Sequence, residues 1–448
     1  MTLSKDKLHP YQLAIIEKAK TIPHIGLLLD MGLGKSVSAL TIIVDSPKGK
    51  TLLVAPLSVA KNVWAAEISK WDHLKHLRVS KVLGSEKERL LALKQDADVY
   101  IINNENIAWL FGLKDIPAFD YLLLDESSRY KDPTTKRFKA LKKKLSTFKR
   151  RIIATGTPCP NTVSELFAQV GILDLGERLG TTLTKFRETY LEPDQRNRHT
   201  KVIYSWKLKD GAEQEIRGRI KDICFSMNAK DYLEMPKLTI IDHNLAMDSK
   251  LKKAYISFKK DMVIDVNDKT ITAVTAAVLI NKLLQFTSGV LYKEDGTWET
   301  IHSIKLDYIQ DLLDDGTPSL IFYHYKSSLK ALQARFPDAE GQSEESIKKW
   351  REGTLKQMLV HHMSGSVGLN LQNNYARTAN ICFYDLPWSS ESYQQAIART
   401  YRQGQEKPVV VHRFLIEDSV DNHVVQTLAG KINVQDAVLS ALNFKINN

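Results

Sequence analysis

The sequence predicts an α/β protein with two parallel sheets, each flanked by helices, and with helical insertions between them. Short apolar runs, several of them followed by a helical pattern, occur in two separate parts of the 448-residue chain. Strands that are apolar along their whole length are typical of parallel sheets covered on both faces. The predicted strands are residues 27–29, 51–56, 98–103, 121–126 and 151–154 in the first part, and 319–323, 357–361 and 379–384 in the second.

The stretch between these two groups of strands has a different pattern. Residues 161–235 are mostly helical and charged, with a polar stretch at 192–201 that we predict to be an exposed loop. After Pro236 we predict an extended segment at 239–245 and long helices at 249–262 and 271–286. The predicted parts are a first lobe at 1–235 that includes a helical insertion at about 161–235, an extended and helical linker at 236–300, and a second lobe at 301–448.

The composition is that of a soluble globular protein. Hydrophobic residues make up 43% of the chain and charged residues 26%. No apolar run reaches the roughly twenty residues of a membrane span, and the first ten residues are too polar for a signal peptide, so we expect an intracellular, soluble protein. The net charge of +11 favours a polyanionic partner such as nucleic acid. Cys159, Cys224 and Cys382 lie far apart, so we expect three reduced thiols.

The first predicted strand runs directly into a glycine-rich turn. The stretch LLLDMGLGKS, which ends at Ser36, has the pattern of a strand, a loop and the start of a helix. Gly32 and Gly34 allow backbone N–H groups to point at a phosphate, Lys35 can reach its outer oxygens, and the Ser36 hydroxyl suits Mg²⁺. The stretch departs from the strict phosphate-loop pattern at Leu29, where that pattern has its first glycine.

Two carboxylates, Asp125 and Glu126, end the fourth predicted strand. Ligands collect at the carboxyl ends of parallel strands. An aspartate there can hold Mg²⁺ through water, and a neighbouring glutamate can orient or deprotonate an attacking water. A lone Asp-Glu pair is more often a helix cap or a solvated turn, but this one follows the phosphate loop by about ninety residues, which favours the functional interpretation.

Three other features of the first part carry weaker signals. The amide of Gln12 matches the hydrogen-bonding edge of an adenine, although a glutamine near a helix start is usually a surface residue. Residues 136–151 are rich in lysine and arginine, and apolar residues keep helical spacing through them, so we predict the solvated face of an amphipathic helix rather than a nucleic-acid contact. The turn Thr155 to Pro158 carries two hydroxyls that can sense the state of a catalytic site.

The second part has a glycine-rich loop of its own. The strand before it runs into MSGSVGLNLQ, residues 363–372. His361 and His362 precede this loop and look like a metal pair. No third ligand is near them in the sequence, so we predict ordinary packing for both.

Two arginines follow near the end of this part. Residues 393–405 have the pattern of a helix ended by glycine. Arg399 and Arg402 are three positions apart, so on that helix they project from one face. A pair of arginines so placed can stabilise charge on a phosphoryl group during its transfer, as an arginine finger does.

Together and in this order, these stretches resemble the Swi/Snf-like branch of the superfamily-two helicase-like ATPases, which are double-stranded DNA translocases. The resemblance extends from about residue 9 to residue 421, and it is most specific at YDLPW (384–388) and YRQGQ (401–405). The other similar stretches are PYQ (10–12), MGLGKS (31–36), AP (55–56), DE (125–126), TGTP (155–158), GLNL (368–371) and QAIAR (395–399). The family implies two RecA-like lobes with ATP in the cleft between them.

The resemblance also implies a role for each matching residue. ATP would be bound by Gln12 at the adenine and by Met31, Gly32, Leu33, Gly34, Lys35, Ser36 and Gly368 at the phosphates. Ser36 and Asp125 would hold Mg²⁺, and Glu126 would activate water. Catalysis would depend on Lys35, Asp125, Glu126, Arg399 and Arg402. The backbone of DNA would be tracked by Pro56, Ser58, Ser364 and Asn370.

The chain departs from the family pattern at Ser127 and Ser128, where the family commonly has a small residue and then histidine. This departure bears on how hydrolysis is linked to lobe movement. Little of the chain is left for accessory domains, so it is similar to the compact motors of phages or bacteria. We therefore expect it in the cytoplasm of a bacterial or phage-infected cell.

Three functions fit these observations. The leading hypothesis is an ATP-dependent motor that translocates on double-stranded DNA through sequence-independent backbone contacts, remodelling DNA or displacing bound factors. The alternative is a strand-separating helicase that acts on forks or junctions of DNA or on RNA. A third hypothesis is an ATP-switched nucleic-acid-binding clamp, against which Glu126 and the two arginines argue, because a pure clamp needs no transition-state stabilisation.

Overall fold

A computed structural model of the chain describes residues 2–159, 163–196, 203–267, 273–362 and 370–429. The chain divides into two compact units, Met1–Leu233 and Glu234–Asn448. Each unit contains a parallel sheet flanked by helices, so the predicted α/β class with two parallel sheets is confirmed. The segment 236–300, predicted as a linker, lies within the second unit.

The first unit alternates strands and helices through most of its length. Its strands are β1 His24–Leu29, β2 Thr51–Ala55, β3 Val79–Val82, β4 Val99–Asn103, β5 Tyr121–Asp125, β6 Arg150–Thr155, β7 Leu191–Arg196, β8 Ile203–Leu208 and β9 Cys224–Met227. Its α-helices are α1 Pro10–Ala19, α2 Lys35–Val44, α3 Leu57–Asn62, α4 Trp64–Lys70, α5 Glu86–Leu93, α6 Ile107–Leu110, α7 Lys136–Lys142, α8 Leu166–Asp174, α9 Leu183–Tyr190, α10 Ala212–Ile220 and α11 Ala229–Tyr232.

The central sheet of this unit is parallel throughout its described residues. Its strand order is β3-β4-β2-β5-β6-β1-β9. Strands β5, β6 and β1 are therefore consecutive neighbours, and the segments that follow them leave the sheet at the same edge. This order brings the glycine-rich turn after β1, the threonine at the end of β6 and the two carboxylates at the end of β5 to one place.

The second unit repeats the alternation with fewer strands. Its strands are β10 Leu238–Leu245, β11 Val290–Tyr292, β12 Trp298–Thr300, β13 Ser319–Tyr323, β14 Glu340–Gly341, β15 Gln357–His361, β16 Ala379–Phe383 and β17 Val409–Ile416. Its α-helices are α12 Ser249–Asn267, α13 Ala273–Thr287, α14 Ile304–Leu312, α15 Lys326–Arg335, α16 Glu344–Glu352, α17 Ser390–Ile397 and α18 Val420–Leu428. The parallel sheet has the order β10-β17-β16-β13-β15-β14, and β11 and β12 form a separate antiparallel pair.

The predicted helical insertion is part of the first unit's core. Phe167 on α8, Phe186 on α9 and Ile216 on α10 are buried in the same hydrophobic cluster as Leu122 on β5 and Ile153 on β6. Burial of large apolar side chains is the main stabilising contribution to such a core. The helices after β6 therefore cover the sheet rather than forming a separate module.

Where the structure describes residues 192–201, the predicted loop is wrong because they form a strand, whereas the predicted exposure is confirmed at residues 192–194. Residues 191–196 form β7, which pairs in antiparallel fashion with β8, and Glu192 and Lys207 lie opposite each other with a salt bridge of 3.0 Å. Polar residues form strands here because the hairpin satisfies its own backbone hydrogen bonds, and cross-strand pairs of opposite charge add to it. The sequence pattern also missed β9, which pairs with β1.

The predicted helix over residues 393–405 is also wrong at its end. The helix α17 ends at Ile397, and the backbone then continues in turns, so that Arg399 and Arg402 both lie beyond it. The cause is competition from tertiary hydrogen bonds: Leu371 N donates to Arg399 O at 2.9 Å, and Thr400 Oγ1 donates to Leu371 O at 3.2 Å. The argument that helical spacing places both guanidinium groups on one face therefore does not hold.

The basic segment 136–151 divides into two environments. In α7 the apolar side chains are buried and the lysines at 139 and 142 are exposed, which confirms the predicted amphipathic helix. Arg150 and Arg151 belong to β6 instead. Arg151 is 4% exposed and donates to Leu173 O and Leu145 O, while Arg150 donates to Ala19 O and Ile22 O. These two arginines join secondary-structure elements rather than facing solvent.

The packing predicted for the histidines before the second glycine-rich loop is confirmed. His362 is buried against the rings of Phe322 and Phe383, and its Nε2 donates to the carbonyl of Asp385. His361 Nε2 donates to a carbonyl at 3.0 Å. Burial lowers the pKa of His362 to about 4, so this ring is neutral at pH 7.

Candidate active site

The glycine-rich turn after β1 has the backbone that a phosphate loop requires. Gly32 and Gly34 have φ angles of 89° and 68°, in the left-handed region that favours glycine, and Gly34 is the residue that immediately precedes α2. A Cβ atom on Gly34 would lie 2.0 Å from Gln12 Nε2. Both the backbone conformation and the close approach of Gln12 therefore require glycine at position 34.

The side chain of Lys35 lies over the loop that precedes it. Its Nζ donates to Leu29 O at 2.8 Å and to Asp30 O at 3.2 Å. A Cβ atom on Gly156 would lie 3.3 Å from Lys35 Nζ and 2.9 Å from Met31 Cγ. The turn after β6 thus passes directly against the phosphate loop, and the Lys35 ammonium lies between the two turns.

Gln12 on α1 is attached to the phosphate loop. It is 4% exposed, its Oε1 accepts from His9 N at 2.8 Å, and its Nε2 donates to Leu33 O at 3.2 Å. One Nε2 proton and one Oε1 lone pair remain beyond these two bonds, which is the pair of functions that an adenine edge requires. The sequence alone gave little weight to this glutamine, and its contact with Leu33 is what joins it to the site.

Asp125, the last residue of β5, is a buried carboxylate with a defined orientation. Its Oδ2 accepts from Trp64 Nε1 and its Oδ1 from Glu126 N, both at 3.0 Å. Burial, and then the nearby charge of Glu126, raise the pKa of Asp125 to about 7, while the Lys35 ammonium and the Trp64 N–H oppose the rise. Lys35 and Asp125 are therefore close enough to interact electrostatically within one site.

Glu126 is held by the neighbouring strand. Its backbone is left-handed, with φ 52° and ψ 57°, and its Oε2 accepts from Thr155 Oγ1 at 3.1 Å. Thr155 Oγ1 in turn accepts from Thr157 N at 3.1 Å. One of the two hydroxyls that the sequence suggested as a sensor thus contacts the proposed water-activating carboxylate directly.

The structure also places the other predicted residues of the first unit. Ser36 is the second residue of α2 and is partly exposed, so its hydroxyl belongs to the first turn of that helix. Pro56 immediately precedes α3 and is buried, whereas Ser58 on α3 is exposed. Hydroxyl and carboxylate oxygens are the ligands that Mg²⁺ prefers, so Ser36 and Asp125 fit that ion.

In the second unit, the arginine segment is joined to the end of the second glycine-rich loop. Gln405 is buried, its Oε1 accepts from Asn373 N at 3.0 Å, and its Nε2 donates to Asn373 O at 2.9 Å. Arg399 is 8% exposed and Arg402 is partly exposed. Arg351 on α16 donates to Asn370 O at 3.0 Å and 3.3 Å. Gly368 and Ser364, also predicted as site residues, lie outside the described residues.

Sequence reasoning missed one polar contact of the site altogether. Trp64 is 1% exposed, and its place in an apolar helical pattern gave it only a packing role. Its helix follows β2, and β2 lies beside β5 in the sheet. An indole at the carboxyl edge of the sheet, one strand away from a predicted metal ligand, was the signal that could have identified it.

The arrangement can bind a nucleoside triphosphate and prepare a water for attack. The phosphate loop, its lysine and the two carboxylates belong to one sheet edge of the first unit. Together, fold and site define a helicase-like phosphate-loop ATPase. A family model described as the SNF2-related domain matches residues 15–294, and one described as the helicase conserved C-terminal domain matches residues 304–404. The chain therefore belongs to the SNF2-related family of nucleic-acid-dependent ATPases.

Known relatives extend over nearly the whole chain. The putative protein p41 of Acyrthosiphon pisum secondary endosymbiont phage 1 is 30% identical and covers 97% of this chain and 98% of its own length. The uncharacterized ATP-dependent helicase YqhH of Bacillus subtilis is 23% identical, with coverage of 97% and 80%. The ISWI chromatin-remodeling complex ATPase ISW1 of Saccharomyces cerevisiae is 25% identical, but the chain spans only 40% of that protein.

A solved structure is also similar. The Sulfolobus solfataricus SWI2/SNF2 ATPase core in complex with double-stranded DNA has 22% sequence identity and a TM-score of 0.45, with 98% of this chain and 95% of that chain covered.

None of the helices in the described part of the chain has both the length and the apolar character needed to span a bilayer.

Proposed function

We propose that this protein is a motor that hydrolyses ATP to translocate on double-stranded DNA and so remodels DNA or displaces bound factors. The observation that carries the proposal is the meeting of Lys35, Asp125 and Glu126 at one sheet edge, within the domain that defines the family. Their spacing in sequence is wide, so only the parallel sheet order joins them. The resemblance to duplex-DNA translocases at residues 384–388 and 401–405 supports the choice of DNA.

The first unit holds the nucleotide in this proposal. Gln12 contacts the adenine, and the backbone from Met31 to Gly34 surrounds the phosphates. Lys35 exchanges its contacts with Leu29 O and Asp30 O for phosphate oxygens, which offer a stronger, charge-assisted hydrogen bond. The family resemblance also assigns a γ-phosphate contact to Gly368, which is outside the described residues.

Magnesium would be held by Ser36 and Asp125. When bound, the ion neutralises negative charge on the phosphates. Trp64 and the Glu126 N–H each occupy one lone pair of the Asp125 carboxylate and so keep it in one orientation. Glu126, oriented by Thr155, accepts a proton from the attacking water.

Arg399 and Arg402 are the proposed arginine fingers. A guanidinium group supplies fixed positive charge where negative charge develops during phosphoryl transfer. Both arginines lie in a segment that is tied by Gln405 and Thr400 to residues 370–373. We propose that this segment couples the arginines to the DNA-tracking residue Asn370.

DNA contact is assigned to Pro56, Ser58, Ser364 and Asn370. Hydroxyl and backbone groups such as these bind phosphates without reading bases, so affinity should depend little on sequence. The net charge of +11 adds a long-range attraction for the duplex. Binding should therefore weaken steeply as salt rises.

Assays of ATP hydrolysis and of strand displacement test the proposal. Phosphate release is measured with no nucleic acid, with single-stranded DNA, with duplex DNA and with RNA, and strand displacement is measured on a triplex and on a simple forked duplex. We expect the strongest stimulation by duplex DNA, displacement of the third strand and little unwinding of the fork. Robust unwinding of the fork without duplex stimulation or triplex displacement would favour a strand-separating helicase. DNA binding with negligible turnover would favour a clamp.

A further inference from the structure

Ser127, the residue after Glu126, makes a side-chain hydrogen bond inside the first unit. Ser127 Oγ donates to Gln169 Oε1 at 2.7 Å, and both residues are 0% exposed. Gln169 lies on α8, and its Nε2 donates to Pro158 O and, at 3.1 Å, to Glu165 O. The two carbonyls can only accept, so the orientation of the amide is fixed and its oxygen must face Ser127.

These bonds complete a ring around Glu126. From Ser127 the ring passes through the Gln169 amide to Pro158 and then along the turn to Thr155. The Thr155 hydroxyl closes it on the Glu126 carboxylate at 3.1 Å. The backbone and the side chain of Glu126 are thus held by the same set of buried and partly buried hydrogen bonds.

We infer that Ser127 and Gln169 are positioning residues that act on ATP hydrolysis through Glu126. A glutamate rarely adopts left-handed backbone, and such a conformation persists only where the surrounding structure holds it. The bond from Ser127 to Gln169 fixes the residue directly after Glu126, and the bond from Gln169 to Pro158 fixes the turn that contacts its carboxylate. The inference rests on the proposed function, since it takes Glu126 as the group that activates water.

The inference also gives a role to Ser127, the small residue that directly follows the two carboxylates. The hydroxyl at this position has a partner, Gln169, that is itself fully buried and has no other described donor to its Oε1. A buried amide oxygen without a donor is unfavourable. The two side chains therefore function as a pair, and a change at either should affect the same step.

The test uses the full chain and removes either end of the pair. Ser127→Ala deletes the hydroxyl, and Gln169→Leu keeps the side-chain volume but deletes the amide. Ser80→Ala is the matched control. Ser80 is a buried serine on β3, an edge strand of the same unit. Its hydroxyl donates to Ala92 O at 2.7 Å, the same length as the bond from Ser127 to Gln169. Each variant is characterised by kcat and KM for ATP, by nucleotide affinity and by the denaturant midpoint of unfolding.

We expect kcat to fall about tenfold or more in Ser127→Ala and Gln169→Leu, with KM and nucleotide affinity within about twofold of wild type. Ser80→Ala should lower the unfolding midpoint by a similar amount and leave kcat within about twofold. In a Glu126→Gln background, Ser127→Ala should have little further effect on kcat, because a positioning residue acts only through the group it positions. The inference would be overturned if Ser127→Ala lowered kcat by the same factor in the wild-type and the Glu126→Gln backgrounds. It would also be overturned if Ser80→Ala lowered kcat as much as Ser127→Ala and Gln169→Leu do.

A structural measurement separates this inference from the proposed function. In crystals of Ser127→Ala, or of Gln169→Leu should the serine variant not fold, we expect the Glu126 carboxylate to have left Thr155 Oγ1. If Glu126 keeps its left-handed backbone and its contact with Thr155 in the variant crystallised, the inference is wrong whatever the activity. If wild-type protein hydrolyses no ATP on any nucleic acid, the proposed function fails, while the crystal result still decides whether the pair holds Glu126.

Discussion

The indole of Trp64 donates a hydrogen bond of 3.0 Å to Oδ2 of Asp125. Trp64 is 1% exposed and Asp125 is 9% exposed, so the bond is shielded from water at the edge of the first sheet. A hydrogen bond from a neutral donor to a buried carboxylate stabilises the charged form and fixes its orientation. Through this bond, helix α4 influences the carboxylate at the end of β5.

The first prediction is that Trp64→Phe weakens Mg²⁺ binding. The ring is largely retained, but the Asp125 carboxylate loses one donor, so the Mg²⁺ concentration at half-maximal ATP hydrolysis should rise about tenfold. Binding of Mn²⁺ in the presence of a non-hydrolysable ATP analogue, followed by electron paramagnetic resonance, should show the same shift. Trp71→Phe is the control, because Trp71 donates to Glu67 Oε1, also at 3.0 Å. Equal shifts in both variants would contradict a specific role for Trp64.

The second prediction concerns pH. The pKa of Asp125 rises from its ordinary value of 3.8 to about 7 in the folded chain, so between these values the folded state keeps a proton that the unfolded state releases. The contribution of Asp125 to the free energy of unfolding is therefore fully present below pH 3.8, and it is lost as the pH rises towards 7. In the presence of a chelator that removes Mg²⁺, the free energy of unfolding of Asp125→Asn should therefore increase relative to that of wild type as the pH rises from 4 to 7. The upper limit of this increase is about 4 kcal/mol, since each pKa unit corresponds to about 1.4 kcal/mol. A difference in the free energy of unfolding that does not change with pH would contradict the raised pKa.

The third prediction separates binding from chemistry. Lys35→Ala should raise the dissociation constant for ATP by at least about tenfold and also lower turnover, because Lys35 contacts phosphate in both the ground and the transition state. Glu126→Gln should lower kcat by about a hundredfold with nearly unchanged affinity, because only the group that acts on water is lost. Fluorescence titration with a labelled nucleotide and single-turnover hydrolysis measure the two effects. The assignments are wrong if both variants lose affinity to the same extent.

The fourth prediction is that Arg399→Ala and Arg402→Ala each lower ATP hydrolysis by about a hundredfold or more, with DNA affinity changed by less than about threefold. Arg399 is 8% exposed, so its variant also requires a measurement of unfolding to exclude a loss of structure. Arg377 is an exposed arginine of the same unit that has no proposed role, and Arg377→Ala serves as the control. Near-normal DNA-stimulated turnover in either variant would show that the arginine concerned is not a finger.

The sequence predicted those parts of the molecule that depend on local signals. The phosphate loop was recognisable because Gly32 and Gly34 interrupt an apolar strand, and the parallel sheets because their strands are apolar on both faces. The hairpin at Glu192 and Lys207 was not, because most residues of β7 are polar and the stability of the hairpin comes from backbone pairing between β7 and β8, which leaves no apolar pattern in the sequence. The turn at Arg399 was misjudged for a similar reason, since Leu371 competes for a carbonyl that a helix would otherwise use.

Strand β9 is the last strand of the first sheet in the sequence, yet it pairs with β1, the first one. It pairs with β1 from Gly26↔Cys224 to Leu29↔Met227, and Ala229 N donates to Asp30 Oδ2 at 2.9 Å beside the phosphate loop. The strand that carries the loop thus lacks its outer neighbour until Met227 has left the ribosome. Until then β1 is an open sheet edge, and such edges promote pairing between chains. During translation, the first strand of the sheet to be synthesised therefore gains its outer neighbour only when the last strand is made. Nascent chains that have not reached Met227 carry an unpaired strand edge beside an incomplete nucleotide site.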